Sequence, residues 1–144
     1  MTTIYLIRHA EADGNLYRRA HGWYNSVITD RGYRQIAALA GRFAETQFDA
    51  VYSSDRYRTM TTASAVYQTH GLPLLTTPRL REIGIGVWED LPWAEIERTD
   101  GEQLERFNTD AEHWHIEGGE QLPAVRERML SALREIAEAH PNGT

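Results

Sequence analysis

The sequence predicts an α/β fold, and three features carry that expectation. Short apolar runs at Ile4-Tyr5-Leu6-Ile7, Asp49 to Ser53 and Leu72 to Thr76 read as strands. Segments with apolar residues at helical spacing follow the first two, giving the order strand, loop, helix, strand, helix, strand. That alternation joins parallel strands through helical crossovers, so it predicts a three-layer sandwich with a mainly parallel central sheet and helices on both faces. The 144 residues suit one domain, and 41% apolar with 25% charged residues is a globular balance.

Each element has its own signal. Ile4 to Ile7 is β-branched and aromatic, as a buried strand requires. From Asn15 to Ser26 the chain is polar and aromatic without a period, a loop long enough to suggest function. Thr29 offers an N-cap, and Tyr33, Ile36, Ala37, Ala40, Phe43 and Ala44 predict a helix from about Asp30 to Glu45. A strand over Asp49 to Ser53 ends in Ser53-Ser54-Asp55, which caps a helix from about Asp55 to His70. Its buried face is expected to carry Met60, Ala63, Val66 and Tyr67. Gly71 stops that helix, and Pro73 sets the third strand at a sheet edge or at its own first residues. Pro78 to Asp90 reads as a loop. Two short helices follow, from Pro92 to about Arg98 and from about Gln103 to Phe107. Val125, Met129, Leu133, Ile136 and Ala137 predict a final amphipathic helix from about Leu122 to His140.

Composition removes several chemistries. Without cysteine there is no disulfide, thiolate zinc site or cysteine nucleophile. All 15 basic residues are arginine, so a Schiff-base lysine is excluded. A net charge of −6 speaks against sequence-independent nucleic-acid binding. No run reaches the length of a membrane span and no signal segment precedes the first strand, so the default expectation is a cytoplasmic protein; self-association is compatible with the sequence.

The first strand stops at Arg8-His9, where the carboxyl ends of strands in an α/β sheet hold ligands. Arginine presents a charged planar fork suited to phosphate, and histidine can attack or shuttle protons near neutral pH. An Arg-His pair alone more often just ends a strand. Asn15, Arg18 and Arg19 are either within reach of a ligand at His9 or a solvated basic edge. Trp23, Tyr24, Trp88 and Trp93 are either apolar pocket walls or structural.

Further motifs decide between these readings. Leu6-Ile7-Arg8-His9-Ala10-Glu11 resembles the Arg-His-Gly-Glu signature of the histidine phosphatase superfamily, which includes cofactor-dependent phosphoglycerate mutases, with alanine in place of glycine. Thr29 to Gln35 is similar to that family's Leu-Thr-x-x-Gly-x-x-Gln helix start. Ser53-Ser54-Asp55-Arg56-Tyr57-Arg58 resembles its Ser-Ser-Asp-x-x-Arg segment. Leu80-Arg81-Glu82-Ile83 with Gly86-Val87-Trp88-Glu89-Asp90 resembles its acid-bearing loop, and Gly118-Gly119-Glu120 its Gly-Gly-Glu-Ser. Five motifs in order cover the chain from first strand to last helix.

The resemblance implies a phosphoglycerate mutase-like fold and phosphomonoester hydrolysis through a phosphohistidine on His9, with no metal and no cofactor. A neutral imidazole can take a phosphoryl group and release it to water. Fixed guanidinium donors hold the charge of the transferring group, roles that fall to Arg8 and Arg58, with Asn15 also on phosphate. Glu82 matches the carboxyl that protonates the leaving oxygen. Otherwise Arg58 is a solvated helix residue, Glu82 pairs Arg79 or Arg81, and Asn15 is a turn residue. His113 and His115 read as exposed loop residues, and His70 and His140 as helix-terminal ones.

The sequence departs from the family in one respect. Members carry a second essential histidine in a Ser-His-Gly motif after the strand following the final helix, and none of His21, His70, His113, His115 or His140 stands in such a motif. The expected domain is therefore residues 1–144, C-terminally incomplete before the last core strand. Mutases of the family carry a long insertion after the acid-bearing glutamate, so by the resemblance the short stretch from Glu82 to Gly118 and the form Gly86-Val87-Trp88-Glu89 imply a phosphatase, with a small phosphorylated metabolite as substrate. The alternatives are a phosphoglycerate mutase and a non-catalytic phosphate-binding module.

Overall fold

The computed structural model describes residues 1–144. Asp13–Leu16 forms α1, a single turn that overlaps the start of the expected loop. Helix α2 spans Asp30–Phe43, and Thr29 Oγ1 accepts the Gly32 N–H at 3.1 Å, the predicted cap. Strand β1 is Val51–Ser53, α3 is Tyr57–His70, and β2 is Leu74–Thr76. α3 stops where Gly71 turns left-handed, with φ of 65°. The long α4 covers Trp93–Thr109 and α5 covers Leu122–Ala139. The fold is α/β: β1 and β2 run parallel, Val51 opposite Leu74 and Ser53 opposite Thr76, with α3 as their crossover.

Of three expectations, two are corrected and one is met. Ile4 to Ile7 joins no sheet; the backbone from Ile4 to His9 makes no hydrogen bond to other backbone groups. A strand needs an edge to pair with, and this segment instead faces a groove of about 580 Å³ whose opposite wall includes Ala50, Val51, Tyr52 and Ser53. Its side chains are correspondingly open, with Leu6 80% exposed. Second, the two short helices expected after Pro92 are present, running together as α4 across a kink at Asp100, whose φ of −145° is non-helical and whose carboxylate accepts the Trp88 indole N–H at 3.0 Å. Third, α3 buries Arg58, Thr62, Ala65 and Val66, leaving Met60 and Ala63 half-buried. The rotation follows from Thr62, whose hydroxyl accepts the Ala10 N–H at 2.9 Å and donates to the Arg58 carbonyl at 2.7 Å.

Packing is divided among three small cores. Ala10, Ala12, Ile28, Ile36 and Ala65 join the first segment to α2 and α3. Phe43, Val51 and Val66 seat β1 between the same helices. Ala20, Ile85, Trp88, Ile96 and Trp114 knit the loop after α1 to α4 and the loop before it. Trp88 and Trp114 are almost wholly buried, ring centroids 5.4 Å apart, so Trp88 is structural and not a wall of the site. No helix is long and apolar enough to cross a membrane.

Candidate active site

The segment Arg8-His9 ends where Ala10 is tied to α3, and this sets His9 at the mouth of a second cavity, of about 410 Å³. Its lining includes Arg8, His9, Asn15, Arg58 and Glu82, so five residues selected from sequence converge on one space. His9 Nδ1 lies 2.7 Å from the Ala10 carbonyl oxygen. A carbonyl can only accept, so Nδ1 carries the proton and Nε2 keeps its lone pair. Burial lowers the His9 pKa, the carbonyl bond partly offsets this, and the nearby charges of Arg58 and Arg8 lower it further. The net effect favours the neutral imidazole.

Arg58 is 2% exposed, an unusual depth for a guanidinium. It donates through Nη1 to the Tyr24 carbonyl and through Nη2 to the Gly22 carbonyl, both at 2.8 Å. Its Nε–H is buried without a protein partner. Burial lowers the pKa of Arg58, while Glu82 and Glu89 work in the opposite direction.

The Gly22 to Tyr24 loop that presents those carbonyls is itself clamped. Glu89 accepts the Trp23 N–H at 2.7 Å and the Tyr24 N–H at 2.6 Å. Gly22 admits no side chain, since a Cβ there would lie 2.3 Å from the Ile83 carbonyl oxygen. The Asp55 carboxylate ties this region to the next loop, accepting Arg81 Nε at 2.6 Å, while the Arg81 guanidinium sits 5.0 Å from the centre of the Trp23 ring.

Glu82 is exposed, on the loop between Leu80 and Gly86, and its Oε1 accepts the Ile83 N–H at 2.9 Å. It pairs with neither Arg79 nor Arg81: Arg79 bonds Glu135 and Arg81 bonds Asp55. Arg128 on α5 holds the loop backbone, donating to the carbonyls of Arg79 at 2.7 Å, Arg81 at 2.8 Å and Glu82 at 3.0 Å. Glu120 orients that guanidinium at 2.9 and 2.7 Å and also accepts the Gly84 N–H at 2.9 Å. The Gly118-Gly119-Glu120 motif thus supports the carboxyl-bearing loop. Arg128 carries no sequence signal beyond its place on the last helix.

Asn15 divides its capacity, its Oδ1 accepting the Ala12 N–H at 3.0 Å while the residue lines the cavity. Sequence reasoning missed His21. Its ring stands 5.7 Å from that of His9, and its Nδ1 lies 3.1 Å from the buried Ser26 hydroxyl. Burial foremost, then Arg58 and His9, push its pKa down to about 4. His70, His113 and His140 lie elsewhere, on the Phe43 carbonyl, Asp110 and the Tyr52 hydroxyl respectively. No group of three or more His, Asp or Glu side chains is arranged to hold a metal ion.

The sequence profile of the histidine phosphatase superfamily (branch 1) matches residues 4–144. The chain belongs to the histidine phosphatase superfamily. It is 29% identical over 144 residues to phosphoserine phosphatase 1 of Hydrogenobacter thermophilus, covering all of this chain and 68% of that protein. It is 33% identical over 138 residues to the "Probable phosphoglycerate mutase GpmB" of Yersinia pestis, covering 96% of this chain and 64% of that one. Among solved structures, Bacillus stearothermophilus YhfR superposes with a TM-score of 0.87 at 32% identity, over 93% of this chain and 66% of its own. A mycobacterial glucosyl-3-phosphoglycerate phosphatase gives 0.84 at 29% identity, over 92% and 66%. The chain therefore spans about two thirds of the length of these superfamily relatives.

Proposed function

We propose that this histidine phosphatase superfamily chain carries the phosphoryl-transfer half of a phosphomonoesterase acting on small phosphorylated metabolites. The observation that supports this reading best is the cavity at His9. It combines a neutral imidazole with its lone pair on Nε2 and a buried arginine whose Nε–H has no partner. In the first step Nε2 attacks phosphorus in line, the ester P–O bond breaks, and Arg8 and Arg58 hold the phosphoryl oxygens. Glu82 hands its proton to the departing alkoxide. Water then attacks the phosphohistidine, the P–N bond breaks, and inorganic phosphate leaves. Asn15 adds a contact to the phosphoryl group. None of these steps calls for a metal or cofactor.

Hydrolysis is favoured over mutase chemistry because the stretch from Glu82 to Gly118 is short beside the long insertion that the family's mutases carry after this glutamate. The named phosphatase relatives act, by their names, on phosphoserine and glucosyl-3-phosphoglycerate, which supports a small phosphorylated substrate here. The apolar groove between Ile4–His9 and β1 has the form of a place for one further strand, with unpaired backbone on one wall and the outer edge of β1 on the other. We assign it to the remaining core strand of the domain, which would bring the second histidine.

The test is hydrolysis of an aryl phosphate in excess chelator by the chain and by His9→Ala. Chelator-resistant turnover reduced at least about a hundredfold in the variant is expected. Turnover that survives the substitution, or that the chelator abolishes, overturns the reading.

A further inference from the structure

We infer that Glu89 is the counter-ion of Arg58, linked to it through the peptide group between Gly22 and Trp23, and is the residue that positions Arg58 for phosphate. The inference rests on the phosphoesterase reading, in which Arg58 holds the phosphoryl group. A guanidinium as deep as that of Arg58 is as a rule paired, yet no carboxylate lies within ion-pair distance of it. Glu89 is half-buried and has no cation within that distance either. Burial lowers the pKa of Arg58, and Glu82 and Glu89 are the acids that oppose it. The Glu82 carboxylate is exposed and bonds only the Ile83 N–H. Of the two acids, Glu89 alone also grips the loop whose carbonyls Arg58 binds.

The link is a single peptide group. Its carbonyl, that of Gly22, accepts Arg58 Nη2 at 2.8 Å, and its N–H, that of Trp23, donates to Glu89 Oε1 at 2.7 Å. The peptide is trans, so the carbonyl and the N–H point in opposite directions, the negative end of the dipole on the guanidinium and the positive end on the carboxylate. Each hydrogen bond polarises the group in the sense that strengthens the other. Gly22 permits the approach, since a Cβ there would stand 2.7 Å from Glu89 Oε1. The other carboxylate oxygen secures the next residues: Oε2 accepts the Tyr24 N–H at 2.6 Å, and the Tyr24 carbonyl accepts Arg58 Nη1 at 2.8 Å. Oε1 also accepts the N–H of the buried Ile85 at 3.2 Å, which anchors Glu89 to a core residue. A guanidinium is planar and rigid, so fixing Nη1 and Nη2 fixes the direction of the Nε–H, the buried donor that has no protein partner.

A double-mutant cycle of Glu89→Gln and Arg58→Met tests this, read by inorganic phosphate binding and by urea unfolding. Glu89→Gln keeps the size of the side chain and one acceptor oxygen and removes the charge. Phosphate affinity comes from the rise of the melting temperature with phosphate concentration. It should fall about tenfold in Glu89→Gln, although loss of a negative charge near an anion site would by itself raise it. In the Arg58→Met background the same substitution should change phosphate affinity by less than about twofold. It should also lower the urea midpoint less there, because the guanidinium that Glu89 balances is gone. Phosphate affinity unchanged or raised in Glu89→Gln, or equal losses in both backgrounds, overturns the pairing and leaves the phosphate reading in place. If Glu89→Gln alone does not fold, the doubly substituted chain should fold, and a double variant that also fails to fold overturns the pairing. Absence of any response to inorganic phosphate in the unsubstituted chain overturns the phosphate reading and the positioning role with it, and the unfolding cycle alone then decides the counter-ion.

Discussion

The tautomer of His9 is set by a single carbonyl. With Nδ1 fixed as the donor to Ala10, the lone pair sits on Nε2, and burial together with Arg58 and Arg8 disfavours protonation. Its titration midpoint, followed by NMR through the ring Cε1–H, should lie below the ordinary 6.5 and rise towards that value in Arg8→Gln, where one repelling charge is gone. The neutral form then prevails above the midpoint, and the imidazolium accumulates only as pH falls through it. A midpoint above 6.5 would mean that the site holds His9 protonated. At this scale the sequence was informative: His9, Arg8, Arg58, Glu82 and Asn15 all line one cavity. What it concealed is how Arg58 is held. Two loop carbonyls bind it, and backbone acceptors leave no trace in side-chain identity.

Among elements, the loop carrying Glu82 matters most, since nothing in its own composition makes it rigid. It is held from outside, by the Arg128 guanidinium spread over three carbonyls and by Glu120 on both that guanidinium and Gly84. Arg128→Met keeps the apolar stem and removes the donors. The Arg79 and Arg81 carbonyls lose their protein donor, that of Glu82 keeps only the Trp23 indole N–H, and Glu120 loses its cation, which should destabilise the fold by about 1–3 kcal/mol in urea unfolding. On the proposed roles, the same substitution should lower turnover by more than it weakens phosphate binding, because Arg8 and Arg58 are untouched while Glu82, the proposed general acid, is loosened. A variant as stable and as active as its parent would show that the loop is rigid without its clamp. Helix positions were legible because caps and periodicity are local signals: Thr29, Gly71 and the extent of α5 all fall where expected. The break in α4 at Asp100 was legible only as a gap between two helices, because its cause is the Trp88 indole twelve residues earlier.

At the scale of the molecule, the decisive fact is a mismatch between a sequence that reads as strand and a segment that pairs with nothing. Ile4, Tyr5, Leu6 and Ile7 have strand chemistry, but a strand is stabilised by neighbours and not by propensity alone. Tyr5 finds packing, edge-on to Phe43 at 5.3 Å and Phe48 at 5.7 Å, while the backbone from Ile4 to His9 has no ladder. Amide exchange reports this directly. In this chain the N–H groups of Ile4 to His9 should exchange at nearly the free-peptide rate, while those in the middle of α2 and α3 are protected. In a longer form of the domain whose next strand occupies the groove, the same amides should become protected on both sides of the new strand, those of Ile4 to His9 and those on the free edge of β1. Nucleophile positioning would change with them, because His9 is the last residue of the unpaired segment and only the Ala10 bond to Thr62 now fixes its backbone. Protection of Ile4 to His9 already present in this chain would mean that the groove is closed in solution and that no further strand is needed to pair the segment.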